Sequence, residues 1–416
     1  MDAGNFSEQP ARRTITTRCC IVGGGPAGMM LGYLLGRAGI DTVVLEKHAD
    51  FFRDFRGDTV HPSTLQVMDE LGLIDGFLKL PHQRLQKMDG QFGGTSIRIA
   101  DLSRLSVKYP FIAFMPQWDF LNFLRESGKR FASLKVMMNA NATDLIWSGD
   151  AVAGVKADTP EGPVEVRADL TVACDGRHSI VRERAKLEVE ELGAPMDVLW
   201  FRAGKAANES ESVFARVETG RMMVTFDRGD YWQCAYVIAK GQYDVIKARG
   251  LDALREEIVR LAPVLKSGIA EVKTWDDVKL LTVTINRLKR WTRPGLLCIG
   301  DAAHAMSPVG GVGVNLAVQD AVATANLLAA KLASGCPPEV ELDAVQQRRE
   351  FPVRMTQGMQ VVVQNNIISV ALKPGDAPVK PPLAVRIINA VPWLQGITAR
   401  FIGLGVRPEH VQSPHA

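Results

Sequence analysis

The chain has 416 residues, 46% of them hydrophobic, with 49 lysines and arginines against 46 acids for a formal charge of +3. That length exceeds one small core and calls for two closely packed domains or one large α/β body with insertions. The even charge, with no dense basic stripe, excludes a nucleic-acid groove.

The opening 17 residues are polar and hold no apolar signal core. Residues 17–22 read as a buried strand that runs directly into Gly23-Gly24-Gly25-Pro26-Ala27-Gly28. Pro26–Arg37 is predicted as a helix with Ala27, Met30, Leu31, Leu34 and Leu35 on one face, ended by Gly36 and Gly39. Residues 42–46 (TVVLE) form the next parallel strand. The glycines keep the G-x-G-x-x-G spacing at Gly23, Gly25 and Gly28. The first permits the tight turn, the second lets phosphate reach the backbone, and the third lets helix and strand pack closely. The helix that follows offers free N–H groups and a positive dipole end to an anion. Glu46, at the end of the second strand, is placed to accept from ribose hydroxyls, with Lys47 beside it.

Further along, residues 90–113 alternate in short segments, 117–131 form a helix, and 152–172 read as strand, turn, strand. An apolar strand then delivers Cys174-Asp175-Gly176-Arg177-His178-Ser179-Ile180-Val181-Arg182, where Gly176 allows a sharp turn and Asp175 can bond backbone or water. From about 188 to 285 the character changes. Residues 222–226 and 231–238 flank Asp227-Arg228-Gly229-Asp230, a hairpin signal, and 251–265 form an amphipathic helix. A third motif follows the strand 295–299: Gly300-Asp301-Ala302-Ala303-His304-Ala305-Met306-Ser307-Pro308-Val309-Gly310-Gly311-Val312-Gly313-Val314-Asn315. Here a carboxylate reaches the sheet's carboxyl edge, and small residues leave room for a flat ring against the backbone. The helix behind it aims a positive end at that ring.

Residues 336–416 read as mostly helical with proline breaks at Pro374, Pro378, Pro381, Pro382 and Pro392. The longest uncharged run, 355–372, is interrupted by Gln357, Gln360, Gln364, Asn365 and Asn366, so no continuous membrane span is expected. Ile387, Ile388, Val391, Leu394, Ile397 and Phe401 fall at near-helical spacing with Arg386 and Arg400 among them. Such a helix packs more often on its own domain or on a twin subunit than on a lipid surface. The six cysteines, at 19, 20, 174, 234, 298 and 336, have neither framework spacing nor a CxxC, which suits a reducing, cytoplasmic setting. The seven histidines are scattered and suggest no metal site.

In this order and spacing the three motifs resemble the group A flavoprotein monooxygenases, the p-hydroxybenzoate hydroxylase-like family, over about residues 18–332. The resemblance extends to Arg56 in FRGDTVHPSTL and Gln117 in MPQWDFL. It implies an α/β fold: a Rossmann-like FAD-binding domain from 15–80, 112–187 and 286–335, an antiparallel-sheet substrate domain from 81–111 and 188–285, and a C-terminal helical region over 336–416. It also implies FAD in an extended pose. Gly23, Gly25, Pro26, Ala27 and Gly28 would hold the diphosphate, and Glu46 and Lys47 the adenosine ribose. Arg56, Gln117, Asp175, Gly176, Gly300 and Asp301 would lie along the phosphates or ribityl chain. Gly311, Gly313, Val314 and Asn315 would lie beside the isoalloxazine, with the Pro308 carbonyl facing the substrate.

The family's chemistry is NADH or NADPH oxidation by transient binding, then addition of dioxygen to give a C4a-hydroperoxyflavin that hydroxylates an aromatic, phenolic or quinone-like substrate. The middle sheet is expected to roof the ring against water. On its hairpin, Met223, Thr225, Tyr231, Gln233 and Ala235 are assigned to one face, and Met222, Val224, Phe226, Trp232, Cys234 and Tyr236 to the other. Met223, Tyr231 and Gln233 are therefore candidate pocket residues. His61, beside Pro62, is a candidate substrate contact, whereas His304 orders its loop. Alternatives are a saturase or oxidase of the same fold, or a non-catalytic FAD-binding redox module. A redox cysteine pair and a Trp-x-Trp-x-Ile-Pro stretch, which a disulfide reductase and a tryptophan halogenase would need, are both missing.

Overall fold

The computed structural model describes residues 13–52, 59–206, 213–373, 375 and 379–416. Arg56, Pro374 and Pro378, singled out from sequence, lie outside them. The first layer is a sheet built on parallel strands in the order Leu296–Cys298, Gly162–Ala173, Arg13–Val22, Thr42–Leu45 and Leu134–Met137. Residues 19–22 and 42–45 are wholly buried, as befits parallel strands covered on both faces. The Gly162–Ala173 strand pairs along one edge first with the antiparallel strand Ala151–Thr159 and then with Leu296–Cys298. The helices Pro26–Arg37 and Gly313–Ser334 pack against each other over this sheet. The first keeps the predicted bounds. The second is the one described helix long and apolar enough to cross a membrane, and it is buried core.

The second layer is a seven-stranded sheet in the order Lys279–Leu281, Met196–Gly204, Tyr231–Ala239, Arg221–Asp227, Val213–Glu218, Lys87–Phe92 and Thr95–Asp101. All its pairings are antiparallel except Val213–Glu218 with Lys87–Phe92. The helix Leu251–Leu261 covers its outer face over a core that includes Leu199, Phe201, Trp232, Cys234 and Tyr236. The inner face packs Val198, Val224, Ala235 and Val237 against Val309 of the first layer and Ile368 behind the long helix Glu339–Val363.

The hairpin register corrects one expectation. Asp227 pairs with Trp232, leaving four residues in the loop, and Met223 pairs with Tyr236 while Phe226 pairs with Gln233. Directly opposed residues share a face, and an even loop sets odd numbers opposite even ones. Met223 and Thr225 therefore lie with Trp232, Cys234 and Tyr236. Met223 is 1% exposed in the outer core and is not a pocket residue. Met222, Val224 and Phe226 share the inner face with Gln233 and Ala235.

Candidate functional site

Four strand ends meet in one row. Leu45 is in register with Val22, Val22 with Ala173, and Ala173 with Cys298. The residues that follow them are Glu46, Gly23, Cys174-Asp175 and Ile299-Gly300-Asp301, so every sequence motif begins at the same sheet edge. With strands about 4.8 Å apart the row spans roughly 14 Å. Chain order reverses at the Arg13–Val22 strand, with later strands to either side, which is where open α/β sheets bind ligands.

The glycines divide by what surrounds them. Gly23 has φ +105°, and a Cβ there would lie 2.4 Å from the Cys174 carbonyl oxygen; one on Gly28 would lie 1.9 Å from the Gly23 oxygen. Those two are required by protein packing. A Cβ on Gly25 meets nothing nearer than 4.0 Å, and one on Gly176 or Gly313 meets nothing within 4 Å. Gly176 is called for by its own backbone, at φ +85°, but neither crowding nor a positive φ requires glycine at Gly25 or Gly313. No side chain caps the Pro26–Arg37 helix at Gly25, and Pro26 takes its first turn with Ala27. Its end is thereby left for an anion.

Around this turn the carboxylates are held differently. Glu46 is buried and accepts from the Gly24 amide (2.9 Å) and the His48 amide (3.1 Å), which fixes it beside the turn. Lys47 is exposed. Asp175 accepts from the Val181 amide through Oδ2 (3.3 Å), while its buried Oδ1 has no partner among the described residues. Burial pushes the Asp175 carboxyl up, partly offset by the Ser179 and backbone bonds. Asp301 is partly exposed and faces Arg177 at 4.0 Å. Gln117 is the half-buried first residue of the Gln117–Gly128 helix. Arg182, unassigned from sequence, donates to the carbonyls of Ala302 (3.2 Å) and Arg177 (2.6 Å), tying the second motif to the third.

The third motif is clamped from behind by a row of glutamines on the Glu339–Val363 helix and its continuation. Gln357 donates to the carbonyls of Asn286 (2.8 Å) and Ala305 (3.1 Å). Gln360 donates to those of Ser307 and Val309, both at 2.9 Å, and accepts from the Ser307 amide (3.1 Å). Gln364 donates to the Ser307 hydroxyl (2.7 Å) and opens a π-helical turn, Gln364–Ile368. In sequence these amides only interrupted an apolar run. Their 3–4 residue spacing and burial on one face were the available signal. The Pro308 carbonyl, expected toward substrate, accepts from the Gly311 amide (3.0 Å) in the tight turn.

Asn315 ties this turn to the 59–64 segment. Its Oδ1 accepts from the His61 amide (2.9 Å) and the Thr64 hydroxyl (2.7 Å). Thr59 in turn donates to the Gly311 carbonyl (2.8 Å), and a Cβ on Gly311 would strike the Thr59 hydroxyl at 2.6 Å. Val314 is buried beside Asn315. His61 is fully buried, caps the helix Pro62–Glu70 by position, and bonds the Ile402 carbonyl through Nδ1 (2.8 Å). Burial pushes its imidazole down to about 4. The structure gives His61 the task of joining the C-terminal helix to this segment, not an exposed position facing substrate.

Gly300 has φ +59°, donates to Asp320 Oδ2 (3.0 Å) and allows Ala27 and Ala317 to approach. The same Asp320 oxygen meets His304 Nε2 (2.6 Å), while Oδ1 accepts from Arg349 Nε (2.8 Å). All three side chains are at most 2% exposed. Burial raises the Asp320 carboxyl, but His304 and Arg349 outweigh that and hold it below the ordinary range. An aspartate within an otherwise Ala- and Val-rich buried helix was the overlooked signal.

Across from the Val309 turn, the roof presents aromatic rings. Phe226 stacks on Trp200 (6.0 Å, 19°) and meets Phe114 edge-on (5.1 Å). Gln233 is buried and accepts from Arg228 Nε (2.9 Å), and the half-buried Tyr231 lies under the Arg202 guanidinium (4.9 Å). The strand pairing sets Tyr231 and Gln233 on the inner face. Five of the six cysteines are buried, and burial pushes Cys20 up to about 12, so they are packing residues.

Residues 16–359 match the FAD binding domain family. A 6-methylpretetramide 4-monooxygenase from Streptomyces rimosus is 28% identical over 387 residues, 92% of each chain. A dialkyldecalin synthase from Streptomyces rugosporus is 28% identical over 342 residues, 79% of this chain and 68% of its own. Among solved structures, the p-nitrophenol 4-monooxygenase PnpA from Pseudomonas putida DLL-E4 has the same fold, with a TM-score of 0.73 at 22% identity over 94% of each chain.

Proposed function

The chain belongs to the FAD binding domain family and is a group A flavoprotein monooxygenase, and from that premise we propose that it hydroxylates a fused-ring phenolic substrate held between the Val309 turn and the roof. The observation that carries this reading is one in-register row of cofactor motifs together with an inner roof face whose Trp200, stacked on Phe226, packs in one cluster with Val309 of the third motif. The stacked Trp200 and Phe226 rings suit a flat polycyclic substrate. The similarity to the 6-methylpretetramide enzyme supports the same substrate class.

The residues present fit FAD. The open space at Gly25 and the uncapped helix start at Pro26 and Ala27 suit its diphosphate, while Asp175 Oδ1 is an acceptor for a water or a ligand hydroxyl beside it. Glu46 and Lys47 would hold the ribose, Gln117, Gly176 and Asp301 the linker, and Gly311, Gly313, Val314 and Asn315 the ring. Bound FAD supplies two-electron transfer from NADH or NADPH and activation of dioxygen. The protein's share is placement and dryness. The glutamine row and Asn315 lock the turn, and the valines that join roof to turn exclude water. Tyr231, Gln233, Arg202 and Arg228 supply the polar contacts that orient the substrate's oxygens.

Per turnover, substrate, dioxygen, NAD(P)H and a proton yield hydroxylated product, water and NAD(P)+. The holoprotein is mixed with either nicotinamide and a panel of mono- and polycyclic phenols. Product heavier by one oxygen atom, with matching oxygen uptake, is expected for a polycyclic member. Peroxide as sole product across the panel would point to a substrate outside it or to an oxidase, and absence of flavin reduction would leave a binding module.

A further inference from the structure

The C-terminal helices Leu383–Ala390 and Pro392–Gly403 both lie on the Thr95–Asp101 strand. They are pinned there: Asn389 accepts from the Arg98 amide (2.9 Å), and Thr398 donates to the Ile99 carbonyl (2.7 Å). Their outer sides are apolar. Leu383 is 69% exposed, Ile387 46%, Trp393 65% and Ile397 52%, and the first helix has no buried residue at all. The members of each pair are four residues apart, so each helix directs both toward solvent along one face.

The charge these two helices carry has one sign, beside strands whose Asp89 and Asp101 are paired with Arg98 and Arg104. From residue 379 to 408 the chain carries Lys380, Arg386, Arg400 and Arg407 and no acid. Lys380, Arg386 and Arg400 are exposed and have no carboxylate partner among the described residues. A second copy would meet this face with the same face. That would gather two sets of the same basic side chains at one interface, with no acid from residues 379–408 to offset them. Exposed tryptophan and branched aliphatics on helices whose only charged side chains are basic instead complement the headgroup layer of an anionic bilayer.

We propose that this helix pair docks the protein, peripherally, on an anionic lipid surface. The test is co-sedimentation of the full-length holoprotein with vesicles of phosphatidylcholine mixed with phosphatidylglycerol, against phosphatidylcholine alone. Binding is expected to be at least about tenfold tighter on the mixed vesicles and to weaken as salt is raised. Trp393→Glu with Ile397→Glu is expected to lower it by on the order of tenfold while FAD absorbance is kept. Should that pair misfold, Arg386→Gln with Arg400→Gln serves instead, and is expected to remove the preference for anionic vesicles. No binding to mixed vesicles at low salt would overturn the proposal, as would variants that bind like the parent. So would a dimer in solution that Ile397→Glu converts to monomer in the absence of lipid binding.

Discussion

Gln360 and Ser307 are joined in both directions: the glutamine amide donates to the Ser307 carbonyl at 2.9 Å and accepts from the Ser307 amide at 3.1 Å. A side chain on one helix thus completes the backbone hydrogen bonding of a distant turn as a neighbouring strand would. Gln360→Leu leaves those groups buried and unpaired, so a loss of about 1–3 kcal/mol in urea unfolding is expected. With the turn loosened, the share of NAD(P)H oxidation ending in peroxide should rise, while FAD affinity changes little.

Gly25 and Gly28 should separate cofactor binding from folding. Gly25→Ala meets no protein atom closer than 4.0 Å, so the apoprotein should stay within about 1 kcal/mol of the parent. FAD titration should nevertheless show affinity reduced on the order of tenfold or more. Gly28→Ala places a methyl 1.9 Å from the Gly23 oxygen, and a cost on the order of 3 kcal/mol is expected before any cofactor is added.

Asp320 lies buried between His304 and Arg349, its carboxyl held down by them against the opposing effect of burial. A depressed folded value means that its stabilisation is present above the ordinary carboxylate range and is lost as pH falls through the folded value. Asp320→Asn leaves the buried Arg349 with Glu409, 3.6 Å away, as its remaining carboxylate, and should cost about 3 kcal/mol at neutral pH. Urea unfolding at several pH values should show the difference from the parent shrinking in acid.

His61 gives a separate acid response. The unfolded imidazole takes up a proton near 6.5, the buried one only near 4. Stability should therefore fall as pH drops across that window, by up to about 3 kcal/mol. His61→Gln should flatten this segment of the profile and leave the Asp320 segment in place. An unchanged slope between those two values would show that other groups govern it.

Much of the cradle was legible because its rules are local. The strand–glycine–helix unit with Glu46 follows from spacing alone, and the Pro26–Arg37 helix begins and ends where proline and glycine predict. The hairpin lies where its turn signal predicts, but its faces do not follow residue parity: across a loop of four residues, odd positions on one strand oppose even positions on the other, so residues of like parity fall on different faces. Gln360 and Arg349 were beyond reach for another reason: each finds its partner tens of residues away, and no periodicity encodes which backbone group an amide will meet.

The corrected register makes its own prediction. Met223→Ala should destabilise by about 2–4 kcal/mol, as for a core truncation, with KM within about twofold of the parent. Phe226→Ala removes the ring between Trp200 and Phe114, and should raise KM for a polycyclic phenol more than for a single-ring one. Equal effects of the two substitutions on KM would contradict the assignment of faces.

The single parallel junction in the roof joins strands that lie more than a hundred positions apart along the polypeptide. Such pairing waits on loop closure across the intervening chain, so it should form late in folding and slowly. A fragment cut to begin at Glu188 would lack Lys87–Phe92 and carry an open Val213–Glu218 edge. That raw margin would recruit strands from other molecules, and the excised piece should precipitate where the intact enzyme does not.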